Sequence, residues 1–229
     1  MEEDQEIIKA LRVFNLREDT SLKEVRALYI ERTTQKKFQK IFLDDEPVEK
    51  EFVKYYEAYM RFLKHYSGPD LDLGDYQPEA IFRFSMNQGI YFLIKQQYLK
   101  AAEKFQEAYK LNRNDPLMLI YLGIILIRRR NYYAAEKYLI QATELDKHND
   151  DAWLFLGSVY QTTGQLNKAL KSYETCKVLN PLRSEVAVKI REVKIGLGIE
   201  APVKKSGKKP SLLNLLLKKF DKTKPPDRV

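Results

Sequence analysis

The sequence predicts an all-α protein, and most of it repeats a single pair of helices three times. Gly89, Gly123 and Gly157 recur at one constant interval along the chain. Three further sets of residues keep the same step: Ala101, Ala135 and Ala169; Ala108, Ala142 and Cys176; Leu111, Leu145 and Leu179. Helix-favouring residues are abundant, whereas the 229 residues include only nine Gly and nine Pro. Several registers that share one period predict an array of helical repeats.

Residues 1–66 lack this period and predict three helices of their own. The first extends from about Gln5 to Phe14, and the second begins near Leu22. Ser21 followed by Glu24 forms the pattern of a capping box at the start of the second helix. The third helix extends from about Pro47 to Tyr66, because its apolar residues recur at helical spacing. These residues are Phe52, Tyr55, Tyr56, Tyr59, Phe62 and Leu63.

The last two of these helices carry a pattern that resembles the framework of a J domain. The residues that match are Leu22, Val25 and Tyr29, then Phe52, Tyr55, Ala58, Tyr59 and Phe62. The working part of a J domain is a His-Pro-Asp tripeptide after its second helix, which stimulates ATP hydrolysis by DnaK-type chaperones. That place holds Lys37, Phe38 and Gln39, and the chain contains no His-Pro-Asp. The resemblance therefore implies a degenerate J-like domain without co-chaperone function; a generic three-helix bundle is the alternative.

A domain boundary is predicted at residues 67–77. The segment from Ser67 to Gln77 is rich in Gly, Pro and Asp, which end helices on both sides. The chain is therefore divided into an N-terminal domain at 1–66 and a repeat domain at 78–197.

The repeated unit resembles the tetratricopeptide repeat. The third copy shows the pattern best, with Trp153, Leu156, Gly157 and Tyr160 on a first helix, Ala169 and Tyr173 on a second, and then Pro181. The small residues let paired helices approach closely, while the large ones fill the space between repeats. We predict repeats at 82–115, 116–149 and 150–183, and a capping helix at 184–196. The resemblance implies an α-α superhelix.

In arrays of this family, the first helix of each repeat lines a concave groove. The resemblance implies these partner-binding positions: Met86, Ile90, Leu93, Ile120, Tyr121, Ile124, Leu154 and Phe155, with Ser158 beside them. Arrays that bind the carboxylate end of chaperones carry Lys, Asn and Arg at several such positions. Here the corresponding residues are Met86, Ile90, Tyr121, Asp151 and Phe155. A carboxylate clamp is therefore not expected.

The second repeat adds a helix that is apolar on nearly every side. Residues 117–127 contain no charged side chain, which is typical of a helix buried all round. Because a water-soluble protein seldom exposes so large an apolar surface, we expect the groove to be filled. The occupant is either an amphipathic segment of a partner or another part of this chain.

The basic charge lies almost wholly in a tail at 198–229. Residues 203–229 contain nine Lys and Arg against two Asp, so the tail accounts for +7 of the net charge of +8. After a segment that predicts disorder, residues 211–220 predict a short amphipathic helix. Its apolar face consists of Leu212, Leu213, Leu216, Leu217 and Phe220. Three docking targets remain open: a partner protein, an anionic membrane surface, or the chain's own repeats. Nucleic acid is not expected, since leucines contribute nothing to phosphate binding.

The sequence predicts no catalytic residues, no cofactor and no metal ligands. Cys176 occupies a small-residue position of its repeat, which favours buried packing over nucleophilic chemistry. Asp150 and Asp151 stand at the start of a predicted helix, where we expect them to act as caps.

We therefore expect a non-catalytic adaptor or scaffold that binds a protein or peptide with an amphipathic apolar segment. Its basic tail would contact an acidic protein or an anionic membrane. The expected location is the cytoplasm, or the inner face of the membrane as a peripheral protein. One alternative is a chaperone cofactor that engages a DnaK-type chaperone by a nonstandard route. The other is a membrane assembly factor anchored by the tail.

Overall fold

A computed structural model describes residues 2–17, 19–38, 45–67 and 78–200, and these ranges contain helices and no strand. The predicted all-α fold is confirmed. The helices are α1 (Glu2–Phe14), α2 (Leu22–Thr33), α3 (Glu46–Ser67), α4 (Pro78–Ile94), α5 (Tyr98–Leu111), α6 (Pro116–Arg128), α7 (Tyr132–Leu145), α8 (Asp150–Thr162), α9 (Leu166–Leu179) and α10 (Ser184–Gly196). Residues 68–77 of the predicted linker, and the tail from 201 with its predicted helix at 211–220, lie outside the described residues.

The chain forms two compact units. The first extends to Ile125 and contains α1 to α5 with most of α6; the second begins at Leu126 and contains α7 to α10. The three N-terminal helices and the first repeat therefore belong to the same unit. Helix α10 matches the predicted capping helix at 184–196.

The three N-terminal helices form where the sequence predicts them. The capping box at α2 is present: the Glu24 amide donates to Ser21 Oγ at 3.3 Å, and the Ser21 amide donates to the Glu24 carboxylate at 2.9 Å. Phe14 of α1 stacks on Tyr55 of α3 with ring centroids 5.9 Å apart. After α2, a short 3₁₀ helix at Lys36–Phe38 buries Phe38 against Phe52. The bundle is thus observed, and its J-like character stays a prediction.

Paired helices of the repeats approach closely at glycine. A Cβ atom on Gly89 of α4 would lie 2.7 Å from the Phe105 ring of α5, and one on Gly157 of α8 would lie 2.6 Å from the Tyr173 ring of α9. Both rings are fully buried. These two repeats therefore put an aromatic side chain of the second helix directly on the bare backbone of the first, which explains the glycine at positions 89 and 157.

The turn between the two helices of each repeat has a left-handed residue. Its φ angle is +59° at Gln96, +58° at Arg130 and +77° at Gly164, which are equivalent positions of the three repeats. In each turn the next amide donates to a carbonyl five residues back, for example Asn131 to Leu126 at 2.9 Å. Only the third repeat has the glycine that this conformation favours.

Asp150 and Asp151 do not cap α8 as predicted. Asn149 is the cap, since its side chain accepts from the Ala152 amide at 3.1 Å. Both aspartates instead accept hydrogen bonds from the Arg183 guanidinium at 2.8 Å. The prediction failed because Arg183, which binds both aspartates, lies far along the chain, in the turn between α9 and α10.

Candidate functional site

The predicted groove residues are mostly interior in this structure. Seven of the eight are buried, with exposed fractions of 0–6%, and Phe155 is half-buried. In α6 the burial agrees with its apolar sequence, and Tyr121 stacks on Phe105 with ring centroids 5.2 Å apart. Ser158 is half-buried. Whether these positions contact a partner stays a prediction.

In the first unit, the chain's own α2 lies against the predicted groove positions of α4. Asn87, next to Met86, donates from Nδ2 to the Tyr29 hydroxyl at 2.9 Å and to Thr33 Oγ1 at 3.1 Å. All three polar side chains are buried. Burial raises the pKa of Tyr29 well above its usual range, although the Asn87 hydrogen bond opposes the shift. Tyr29 is therefore a neutral hydrogen-bonding group at neutral pH.

Helix α3 contacts the same helix through aromatic rings and one carboxylate. Tyr56 stacks on Tyr91 with centroids 4.3 Å apart, and Tyr59 meets Phe84 edge-on at 6.2 Å. Glu57 accepts from the Tyr91 hydroxyl at 3.1 Å and pairs with Lys95 at 3.2 Å. The N-terminal helices are thus packed onto the first repeat by buried apolar area and by satisfied polar groups.

Between α2 and α4 this packing leaves a pocket of about 80 Å³. Its walls include the predicted groove residues Met86 and Ile90. The other lining residues come from α2, the 3₁₀ helix, α3, α4 and the start of α6: Arg26, Tyr29, Ile30, Thr33, Thr34, Phe38, Tyr59, Ala80, Phe82, Arg83, Phe84, Asn87, Asp115 and Leu117. An apolar wall with a few polar groups is the usual character of a binding pocket. Its volume matches one aliphatic side chain rather than a large ligand.

Charged residues line one part of this pocket. Asp115 caps α6 by accepting from the Met118 amide at 2.8 Å. Burial raises the pKa of Asp115, while that hydrogen bond and the nearby Arg83 guanidinium oppose the shift. Arg83 also pairs with Glu79 at 2.9 Å. Arg26 also lines the pocket, so its charged lining groups are two guanidiniums and one carboxylate beside the apolar wall.

The Asn87 contacts predict a measurable cost when the amide is removed. Asn87→Leu should lower the free energy of unfolding by about 1–3 kcal/mol, because the buried Tyr29 hydroxyl would lose its partner. Urea denaturation followed by circular dichroism measures the change.

A second substitution tests whether the lost hydrogen bond to Tyr29 causes the destabilisation by Asn87→Leu. In a Tyr29→Phe background, Asn87→Leu should cost clearly less, since removing both partners leaves no orphaned hydroxyl. Equal costs in the two backgrounds would show that the hydrogen bond is not the reason.

The structure gives a packing role to the one cysteine that was considered as a nucleophile. Cys176 is fully buried, and burial raises the pKa of its thiol to about 12, so it stays a neutral thiol. Among the described residues, no group of three or more His, Cys, Asp or Glu side chains could hold a metal ion. In the same residues, no helix is both long and apolar enough to cross a bilayer. The predicted docking residues of the tail fall outside the described chain.

Sequence reasoning missed the contacts between α2 and α4. A signal was present, because Asn87 stands among apolar residues on a helix that is otherwise predicted to be buried. A buried amide needs partners, so this position predicts a polar contact without naming it. The partners were not predictable, since Tyr29 and Thr33 lie far away in the sequence, on the other side of α3.

Comparison with known proteins supports the repeat assignment. Residues 150–181, which contain α8 and α9, match the sequence profile of the tetratricopeptide repeat. The BBSome complex member BBS4 of Bos taurus is 29% identical over 99 residues, which are 43% of this chain and 19% of that protein. The chain thus spans less than a fifth of the length of this relative.

Solved structures share the fold at low sequence identity. MamA of Desulfovibrio magneticus RS-1, from residue 41 to its end, aligns with 78% of this chain and 89% of its own, at a TM-score of 0.53 and 17% identity. The first repeat domain of RPAP3 (Spaghetti), bound to an HSP90 peptide, aligns with 51% of this chain and 93% of its own, at a TM-score of 0.50 and 18% identity. These likenesses support tetratricopeptide repeats in an all-α fold.

Proposed function

We propose that this tetratricopeptide-repeat protein is a non-catalytic adaptor that binds a partner segment carrying an apolar side chain. The observation that carries the proposal is the pocket between α2 and α4. Its wall contains Met86 and Ile90, two of the predicted groove residues. In the second unit, Phe155 is the predicted groove residue that retains exposed area.

The relatives support binding of proteins or peptides in general terms. BBS4 is a member of a complex, and the RPAP3 domain was solved with an HSP90 peptide. In this chain, four of the positions where carboxylate-binding arrays carry Lys, Asn and Arg hold Met86, Ile90, Tyr121 and Phe155, and a fifth holds Asp151. We therefore propose an amphipathic apolar segment as the ligand rather than a chaperone carboxylate. The tail residues 211–220 are proposed to dock on a protein surface, and the cytoplasm is the proposed location.

Site-specific crosslinking in cells tests the pocket. A benzoylphenylalanine at Ala80, which lines the pocket, should give a defined protein adduct after irradiation. The same group at Glu103, exposed on α5, is the matched control and should give none. Mass spectrometry then identifies the partner. Identical adducts from both positions, or none from Ala80, would contradict the proposal.

The N-terminal helices are expected not to act as a co-chaperone. Lys37 forms an ion pair with Glu51, and Phe38 is buried, at the place where a J domain carries its tripeptide. A single-turnover ATPase assay with the DnaK-type chaperone of the same organism should therefore show no stimulation. Stimulation comparable to that by an intact J protein would favour the chaperone-cofactor alternative.

A further inference from the structure

The second unit has an exposed edge of unneutralised basic side chains. It consists of Arg129 and Arg130 in the turn before α7, Lys137 on α7, and Lys168 and Lys171 on α9; we refer to it as the basic edge. In the part of the chain that the structure describes, none of these five side chains forms an ion pair with a carboxylate. Lys95, which holds the position of Arg129 in the first repeat, is by contrast paired with Glu57 at 3.2 Å.

Lys137 on α7 and Lys171 on α9 hold equivalent positions of successive repeats. Burial raises the pKa of Tyr160 on α8, and the carboxylate of Glu136 on α7 adds to this shift. Over the same tyrosine ring lies Lys168 Nζ of α9, 5.1 Å from the centroid. The basic edge therefore extends over α7 and α9, which both pack against α8.

Two local features of this surface oppose stability. Arg130 has φ +58°, a left-handed conformation that disfavours every residue with a side chain, although Gly164 shows that glycine fits the equivalent turn. Neither α7 nor α9 has an acidic residue in its first turn, and α9 has Lys168 there. A cation near a helix N-terminus faces the positive end of the helix dipole. The first repeat shares both features, since Gln96 has φ +59° and α5 has no acidic residue in its first turn, so they are common to the repeats.

We propose that the basic edge binds an acidic segment of a partner protein. Arg129 and Arg130 would pair with Asp or Glu side chains, since guanidinium groups form bidentate hydrogen bonds to carboxylates. Tyr133, which is 72% exposed and follows Arg130 by three residues, would cover an apolar side chain of that segment. This surface acts in addition to the pocket of the first unit and does not depend on it.

The exposed groups favour protein over the other polyanions. Single-stranded nucleic acid is held by several aromatic platforms on which successive bases stack, whereas Tyr133 is the one exposed aromatic residue within residues 129–137 and 160–171. A membrane surface would need apolar side chains that insert into it. Within residues 129–137 and 160–171, all of which the structure describes, Tyr133 is the one large apolar side chain that is exposed.

Arg130→Gly separates binding from folding, because the two effects have opposite signs. In the full chain, this variant should bind a fluorescent 14-residue peptide of Glu and Ala with one central Leu about 3- to 10-fold more weakly, by anisotropy at 150 mM salt. Its melting temperature should rise by about 1–4 °C as the left-handed strain is relieved. Gln96→Gly is the matched control: it should raise the melting temperature similarly and leave peptide affinity unchanged.

Three outcomes would overturn the proposal. The first is peptide affinity that Arg130→Gly does not reduce, or that Gln96→Gly reduces equally. The second is no binding of the peptide by the unmodified protein. The third is an Arg130→Gly variant that loses at least as much affinity for a 14-nucleotide single-stranded DNA, or for vesicles containing phosphatidylserine, as it loses for the peptide. That last result would assign the edge to a different class of partner.

Discussion

Gly157→Leu is expected to destabilise the second unit by about 3 kcal/mol or more. Even a Cβ at this position would lie 2.6 Å from the Tyr173 ring. The ring cannot move aside easily, because it is fully buried and its hydroxyl donates to the Gln161 side chain at 2.8 Å. Inserting atoms into a packed interior usually costs about 1–3 kcal/mol, and leucine adds four carbons where none fits. Since domains are stable by only about 5–15 kcal/mol, thermal unfolding should reveal a large shift.

Two comparisons make this result specific to the contact. Glu174→Leu adds the same side chain on the exposed face of α9 and should change stability by no more than about 0.5 kcal/mol. The smaller substitution Gly157→Ala should cost much less in a Tyr173→Leu background than alone, since the clashing ring is absent. An unchanged melting temperature for Gly157→Leu would mean that the helices of the third repeat are paired differently.

Phe105→Ala should cost about 3–5 kcal/mol in the first unit. The ring is fully buried, covers Gly89, and stacks on Tyr121 of the next repeat. Its removal leaves a cavity that α4, α5 and α6 cannot close without moving together. Urea denaturation gives the difference, and Gln106→Ala on the exposed side of the same helix is the control.

The same cavity predicts a reversal of sign for a second substitution. Gly89→Ala should destabilise the unmodified protein, since its Cβ would lie 2.7 Å from the Phe105 ring. In the Phe105→Ala background, the added methyl group enters empty space and should cost little or stabilise. Destabilisation of the same size in both backgrounds would contradict the observed packing.

Local and periodic signals predicted most of the fold. The capping box at Ser21 needs residues three apart, and the helix pairs follow a period that the sequence repeats. The burial of α6 followed from composition alone, because a helix without a polar side has to be covered. Such signals work because they depend on contacts within one helix or between successive helices.

Predictions that depended on distant contacts were incomplete or wrong. The cap of α8 was assigned to Asp150 and Asp151 because Arg183 could not be foreseen as their partner. The candidate pocket was missed because its second wall comes from α2. Two of the positions that line it, Met86 and Ile90, were chosen by their place in the repeat. The pocket around these two residues is completed by Tyr29 and Phe38, which no repeat pattern connects to them.

Methyl NMR can detect a partner at the pocket between α2 and α4. The chain has four methionines, of which Met86 lines the pocket and Met118 is fully buried in α6. With ¹³C-methyl methionine in the full chain, the partner recovered by crosslinking at Ala80 should shift the Met86 methyl signal and leave that of Met118 in place. A Met86 signal that does not move at saturating partner would contradict binding at this pocket.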